Sequence, residues 1–194
     1  MKTAALLLSL LTLGLPGLKK ESGTMPARPA SAMVLLRLSH RSVVARIDIS
    51  GDILAGTFNA AKSFTLADPA AHTLGLVSSD EERFMQYGRN GSFDRYRSEG
   101  IGKQFIQRNA DALRRLMGTN SSLIIVEIDS WHQDGALETA VCAAVMDAEL
   151  NLQYVSASRG RRKMEKLSIE AQRAAAGDIA QVIIAELRRL GLTE

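Results

Sequence analysis

The densest chemistry in this 194-residue sequence lies in Arg83-Phe-Met-Gln-Tyr-Gly-Arg-Asn-Gly-Ser-Phe-Asp-Arg-Tyr-Arg97. Phe84, Tyr87, Phe93 and Tyr96 alternate with Arg89, Arg95 and Arg97 around two glycines, and no helical or strand period organises the rings. Aromatic and guanidinium groups together stack on bases, grip anionic head groups or anchor a protein interface. The competing reading is a surface loop whose rings lie down on the domain edge. A loop free to present these groups is the expected partner-binding segment. Asp129-Ser-Trp-His132 gathers a carboxylate, a hydroxyl and an imidazole, but neighbours on a strand alternate faces and cannot form a triad from adjacent positions. Trp131 and His132 are therefore expected to close the end of the core or to mark an interface. Arg159, Arg161, Arg162 and Lys163, with Lys166, surround Gly160 in an expected turn. Such a turn meets the phosphates of a lipid surface, or is simply solvated.

Other chemistry is absent from the pattern. His40, His72 and His132 have no metal-ligand spacing, and there is no nucleophile elbow, phosphate loop or dinucleotide fingerprint. No catalytic centre, metal or cofactor is expected. The single cysteine, Cys142, excludes an intrachain disulfide and shares the apolar register of Ala140, Ala144 and Met146, the place of an inert core thiol. A net charge of +3 permits anionic partners without the dense basic face that nucleic acid requires, so none is expected as a partner.

The elements that must position these groups follow from periodicity. Alternation predicts strands at Met33–Leu38, Val43–Ile49 with a turn at Gly51-Asp52, and more weakly at Gly56–Asn59, Ser63–Leu66 and Thr73–Val77. Helical spacing of Ile101, Phe105, Ile106, Leu113, Leu116 and Met117 predicts a helix over Ser98–Met117, stopped by Gly118. Ser122–Trp131 reads as an inner strand. A long strand over Thr139–Ser156 is expected to pair with it through Gln133-Asp-Gly135, because Met146, Ala148, Leu150, Leu152 and Tyr154 fall on every second residue. On that register Leu150→Asp would be costly and Asn151→Asp nearly neutral. A closing helix is capped by Ser168, buries Ala176, Ile179, Ala180, Ile183, Leu187 and Leu190, and ends at Gly191. The expected fold is α+β, a mostly antiparallel sheet with two main helices packed on one face.

The N-terminus reads as an address. Met1-Lys2 and the apolar run Ala4–Leu15 before Pro16-Gly17 have the layout of an export signal, too short for a comfortable membrane span. Residues 1–17 are thus expected to be an export or anchoring segment, 18–32 a flexible tether, and 33–194 one domain. Ala30-Ser-Ala32 satisfies the small-residue rule for cleavage. Leu15-Pro-Gly17 resembles a bacterial lipobox in which Leu18 occupies the place of the acylated cysteine.

With the helix, the strand ending near Trp131, the alternating strand, the basic turn and the closing helix Ala174-Ala-Ala-Gly-Asp-Ile-Ala180, the layout resembles the small accessory lipoproteins of Gram-negative envelopes. The YajG-type lipoproteins and the lipopolysaccharide-assembly lipoprotein share it over roughly Ser98–Leu190. The resemblance implies helices on one face of a sheet, no catalytic centre, and function through binding envelope components. The expected function is that of a non-enzymatic envelope protein, periplasmic or membrane-associated, that assists assembly of a larger envelope complex. Its partners would be an envelope protein complex and an anionic membrane surface. The alternatives are a carrier of lipid or another small ligand, and an exported hydrolase.

Overall fold

Two long strands, Ser122–Gln133 (β4) and Ala136–Met146 (β5), form the centre of the fold. They are joined by Asp134-Gly135, both at positive φ (49° and 67°), the conformation that a two-residue hairpin requires and that glycine adopts without strain. The computed structural model describes residues 19–23, 28–38, 42–67 and 103–194. Around this hairpin lie strands β1 (Lys19–Gly23), β2 (Ala32–Leu38), β3 (Phe64–Leu66) and β6 (Leu152–Lys163), and helices α1 (Arg46–Gly56), α2 (Lys103–Met117) and α3 (Ile169–Arg189). The six strands make one sheet in the order β1-β6-β5-β4-β2-β3. The β1-β6-β5-β4 part is antiparallel, and β4-β2-β3 is parallel. The chain is therefore an α+β fold with a mostly antiparallel sheet.

Strand alternation sorts the core into two clusters. On one face Val34, Leu36, Ile124, Val126, Ile128, Leu137, Ala143 and Val145 meet Ile49 and Ile53 of α1 and the buried stripe of α3 from Ala175 to Leu187. On the other face Leu35, Leu123, Ile125, Ala140, Cys142, Ala144 and Met146 meet Leu113 and Met117 of α2. The two helices that share a face are thus α1 and α3, whereas α2 covers the opposite one. Every residue of β5 is buried, as a central strand covered on both sides must be. The closing helix begins and ends where its residues dictate. Ser168 Oγ accepts from Ala171 N at 3.1 Å, and Gly191 takes φ 72° beyond the last turn.

Five segments differ from the sequence reading, each for a physical reason. Val43–Ile49 alternates, but Ile49 and Ile53 stand four apart and bury one helical face, so Arg46–Gly56 is helix through Gly51-Asp52. Gly56 is where this helix meets α3, since a Cβ there would lie 2.7 Å from Ile184 Cδ1. The Gly56–Asn59 segment ends that helix instead of forming a strand. Residues 19–23, expected as tether, form an edge strand, and Ser31 exchanges hydrogen bonds with Ser121 at 2.7–3.2 Å. The folded chain buries Ala32 completely at the expected cleavage position. Gly160 is no turn. It pairs with Thr139 inside β6, which runs on to Lys163. Residues 1–17, Thr73–Val77 and the start of the Ser98 helix lie outside the described residues.

The fifth difference lies in Met146–Tyr154, where a turn over residues 147–151 joins the end of β5 to the start of β6 in place of continuous strand. Asp147 ties it together: its Oδ1 accepts from Glu149 N at 3.0 Å and Asn151 N at 2.8 Å, and its Oδ2 from Asn151 Nδ2 at 3.2 Å and Gln153 Nε2 at 2.6 Å. Leu150 is buried at φ 66°, whereas Ala148 and Leu152 are exposed. Leu150→Asp remains costly because the site is buried. Asn151→Asp is no longer neutral, since it sets a second carboxylate against Asp147.

Burial raises the pKa of Asp147, but the hydrogen bonds from Asn151, Gln153 and Glu149 outweigh it and hold the carboxyl below its usual value. A depressed carboxyl pKa stabilises the fold above the unfolded-state value, near 4, and that contribution is lost as pH falls through the folded-state value. Asp147→Ala should therefore cost about 1–2 kcal/mol at neutral pH, read as a denaturant midpoint. The gap from the unaltered protein should narrow steadily in acid below about pH 4. A gap independent of pH would show that the carboxylate does not hold the turn.

Candidate functional site

Toward the hairpin the central strands carry charge on the face opposite α3. Glu138 near the start of β5 is buried and accepts two arginines across the strand pair, Arg159 Nε at 3.5 Å and Arg161 Nε at 3.2 Å. Arg159 also lies over Trp131, its guanidinium carbon 5.7 Å from the ring centroid, a cation–π geometry. Trp131 is half-buried against the α2-side core. The register explains the grouping, because Trp131 pairs with Glu138 and Glu138 with Arg161. One ring, one carboxylate and two guanidinium groups thus brace one another at the hairpin end of the sheet.

His132 faces the other way. Its Nε2 lies 2.8 Å from Met164 O and ties the segment after β6 to the hairpin. Ser130 accepts from Val43 N at 2.9 Å and shares a 2.8 Å bond with Ser42 Oγ, so the hydroxyl between Asp129 and Trp131 is structural. The basic cluster does not form a single patch, because strand alternation divides it. Arg159, Arg161 and Lys163 belong to the α2 side, whereas Arg162 turns to α3 and binds Asp178 Oδ2 at 2.7 Å. Lys166 follows in the exposed connection to α3. Phe84, Tyr87, Arg89, Phe93, Arg95, Tyr96 and Arg97 lie outside the described residues.

A second constellation was not singled out from the sequence. Glu186, on the otherwise apolar inner stripe of α3, accepts from Ser156 Oγ at 2.8 Å and from Arg189 Nε at 3.1 Å, and Arg189 donates in turn to Tyr154 Oη. The Arg189 guanidinium carbon sits 4.9 Å from the Tyr154 ring centroid. The available signal was a carboxylate and an arginine three apart, interrupting a run of buried isoleucine and leucine. Beside this chain lies a cavity of about 170 Å³ between α3 and the sheet, lined by Val126, Val141, Ala143, Ser156, Ser158 and Ile183 among others.

Among the described residues no group of three or more histidine, cysteine, aspartate or glutamate side chains could hold a metal ion. Cys142 is buried opposite Glu127 in the β4–β5 register. Burial first, and then the negative charges of Glu127 and Glu186, push its thiol well above the ordinary cysteine range.

No family model matches this chain, and no curated protein matches it. Solved structures of the PelC dodecamer from Paraburkholderia phytofirmans are similar in outline. A variant with one substitution is 9% identical with a TM-score of 0.44, covering 87% of this chain and 96% of its own. A second crystal form is 10% identical with a TM-score of 0.42, covering 87% and 95%. Likeness of that degree carries no inference about activity, partners or assembly.

The state of Cys142 generates a direct expectation. A water-soluble thiol reagent should leave the folded protein unlabelled even at pH 9, because the nucleophilic thiolate is suppressed by burial. Unfolding in denaturant should then expose one reactive thiol per chain. Rapid labelling of the folded protein would mean that the α2 side of the sheet is open at Cys142.

Proposed function

We propose that this chain is a non-enzymatic exported protein of the cell envelope that assists the assembly or stability of a larger envelope complex by protein contact. The observation that carries the reading is the braced end of the sheet. Trp131 is held half-buried beneath Arg159, and Arg159 is held by Glu138. Tryptophan and arginine are enriched among the residues that dominate binding energy, and rotamers fixed before binding cost less to immobilise on contact. Glu138, Arg159 and Arg161 at this end pair with one another. The apolar run Ala4–Leu15, outside the described residues, supports export. No described helix is long and apolar enough to cross a membrane.

The cavity favours a second reading, a carrier of a small apolar ligand. At about 170 Å³ it is close to the ~150 Å³ apolar cavity that accepts a benzene-sized guest. Ser156, Ser158 and Glu186 supply a polar side to its otherwise aliphatic wall.

Fractionation should recover the full chain with the envelope, and deletion of residues 4–15 should leave it in the cytosol. Native mass spectrometry of the envelope-derived protein should then find a stoichiometric protein partner. Trp131→Ala should keep the melting temperature within a few degrees and weaken that complex about tenfold or more. A retained small molecule without a protein partner would favour the carrier. Cytosolic recovery of both forms would remove the envelope reading.

A further inference from the structure

The cavity beneath α3 has a shape that follows from the strand register. Val126 pairs with Ala143 and Ala143 with Ser156, so one row of short side chains crosses β4, β5 and β6 on the α3 face. The rows beside it carry Ile124, Val145 and Tyr154, and Ile128, Val141 and Ser158, which are larger at every position but the last. The short row is the floor of a trough roofed by Ile183, Glu186 and Leu187. It is one residue wide and spans two strand spacings, about 10 Å.

The two ends of the trough differ. At β4 it is closed by Ile124 and Val126, both buried. At β6 it is lined by Ser158 and Val182, both half-buried, and by Ala185, which is exposed, so it opens there. The polar lining gathers at the open end. Ser156 Oγ donates to Glu186, and Arg189 donates to the same carboxylate. No side chain among the described residues hydrogen-bonds Ser158 Oγ, which is left to meet whatever enters.

These features select a ligand. A trough closed at an aliphatic end and open at a polar one admits a chain tail first. Its volume of about 170 Å³, against the ~150 Å³ that holds the six carbons of benzene, suits about six or seven carbons. A floor one residue wide favours an unbranched chain over a ring. Near the mouth, Glu186 opposes a carboxylate head and Arg189 opposes an ammonium head, since like charges brought together are costly. A hydroxyl meets Ser158 without either cost.

We propose that this trough binds an unbranched aliphatic alcohol of about six or seven carbons, with the chain along Ser156, Ala143 and Val126 and the hydroxyl against Ser158. The inference rests on the carrier reading above and gives that reading its ligand class.

The test titrates 1-butanol, 1-hexanol and 1-octanol into the full chain and follows the methyl resonances of Ile124, Val126 and Val141 by NMR. These resonances should shift, and affinity should rise about fourfold for each methylene from butanol to hexanol. It should level off at octanol, whose extra carbons find no room. Hexanoate and hexylammonium should each bind about tenfold more weakly than hexanol, and cyclohexanol should also bind more weakly. Ser158→Ala should weaken hexanol about fivefold. Ala143→Leu, which fills the floor, should abolish the shifts, and Ala185→Trp should do the same from the exposed mouth without altering the core. Binding of cyclohexanol or of the charged analogues as tightly as hexanol, or affinity unmoved by Ser158→Ala, would overturn the ligand class and leave the carrier reading standing. Absence of any methyl shift with all of these compounds would remove the carrier reading, and the inference with it.

Discussion

β5 is covered on both faces, and the rest of the fold depends on that constraint. A strand sandwiched between helices must be apolar on every residue that they cover, and narrow if the helices are to approach closely. Ala140, Cys142, Ala143 and Ala144 meet both conditions. On the α3 face the small Ala143 leaves room for α3 to bring its own alanines, Ala175, Ala176 and Ala180, against the sheet, while Ala140, Cys142 and Ala144 do the same service for α2 on the other face. The larger neighbours on β4, Ile124, Ile125, Val126 and Ile128, fill the space that narrow β5 leaves. Where α3 and the sheet do not close completely, the cavity beside Ser156 and Glu186 remains.

The charged end of the sheet follows from the same geometry. At the hairpin end the α2-side face of the sheet turns from aliphatic to charged, with Trp131, Glu138 and Arg159 side by side. Glu138 is nevertheless buried, and a buried carboxylate is tolerated only when it is paired. Arg159 and Arg161 pair it, and Trp131 shields the pair from one side. The pairing that buried Glu138 requires thereby fixes the Arg159 guanidinium over the Trp131 ring at the rim, where a partner can use both. Tyr154, Arg189, Glu186 and Ser156 repeat this logic inside the fold, with a carboxylate on an apolar helix satisfied by a chain of donors.

What the sequence revealed depended on whether one period governed a stretch. β4 could be read because its apolar run is of strand length and lies between Gly118 and Asp134-Gly135, and α3 because it keeps one helical period from Ser168 to Gly191. α1 could not, because Val43, Ala45, Ile47 and Ile49 alternate by chance, and only the contact of Ile53 and Gly56 with α3 decides for a helix. The β5–β6 turn was hidden for a similar reason. Met146, Leu150 and Tyr154 are evenly spaced in the sequence although the chain reverses between them and Tyr154 lies on the opposite face, and the Asp147 knot that causes the reversal resembles an ordinary polar position. Trp131 and the basic residues were found by type alone. Their grouping came from pairing across strands, which no local pattern carries, and Glu138 went unnoticed for the same reason.

If β5 is the constraint on which the rest depends, its backbone must be the last part of the molecule to open. Hydrogen exchange of the native protein, resolved by residue, measures this directly. The account predicts that the amides of Ala140 to Val145 exchange only through global unfolding, with the same free energy as unfolding by denaturant, while the short edge strands β1 and β3 exchange faster through local opening. Exchange of the β5 amides at rates comparable with those of β1 would contradict it, because the central strand would then be no more closely held than the edge.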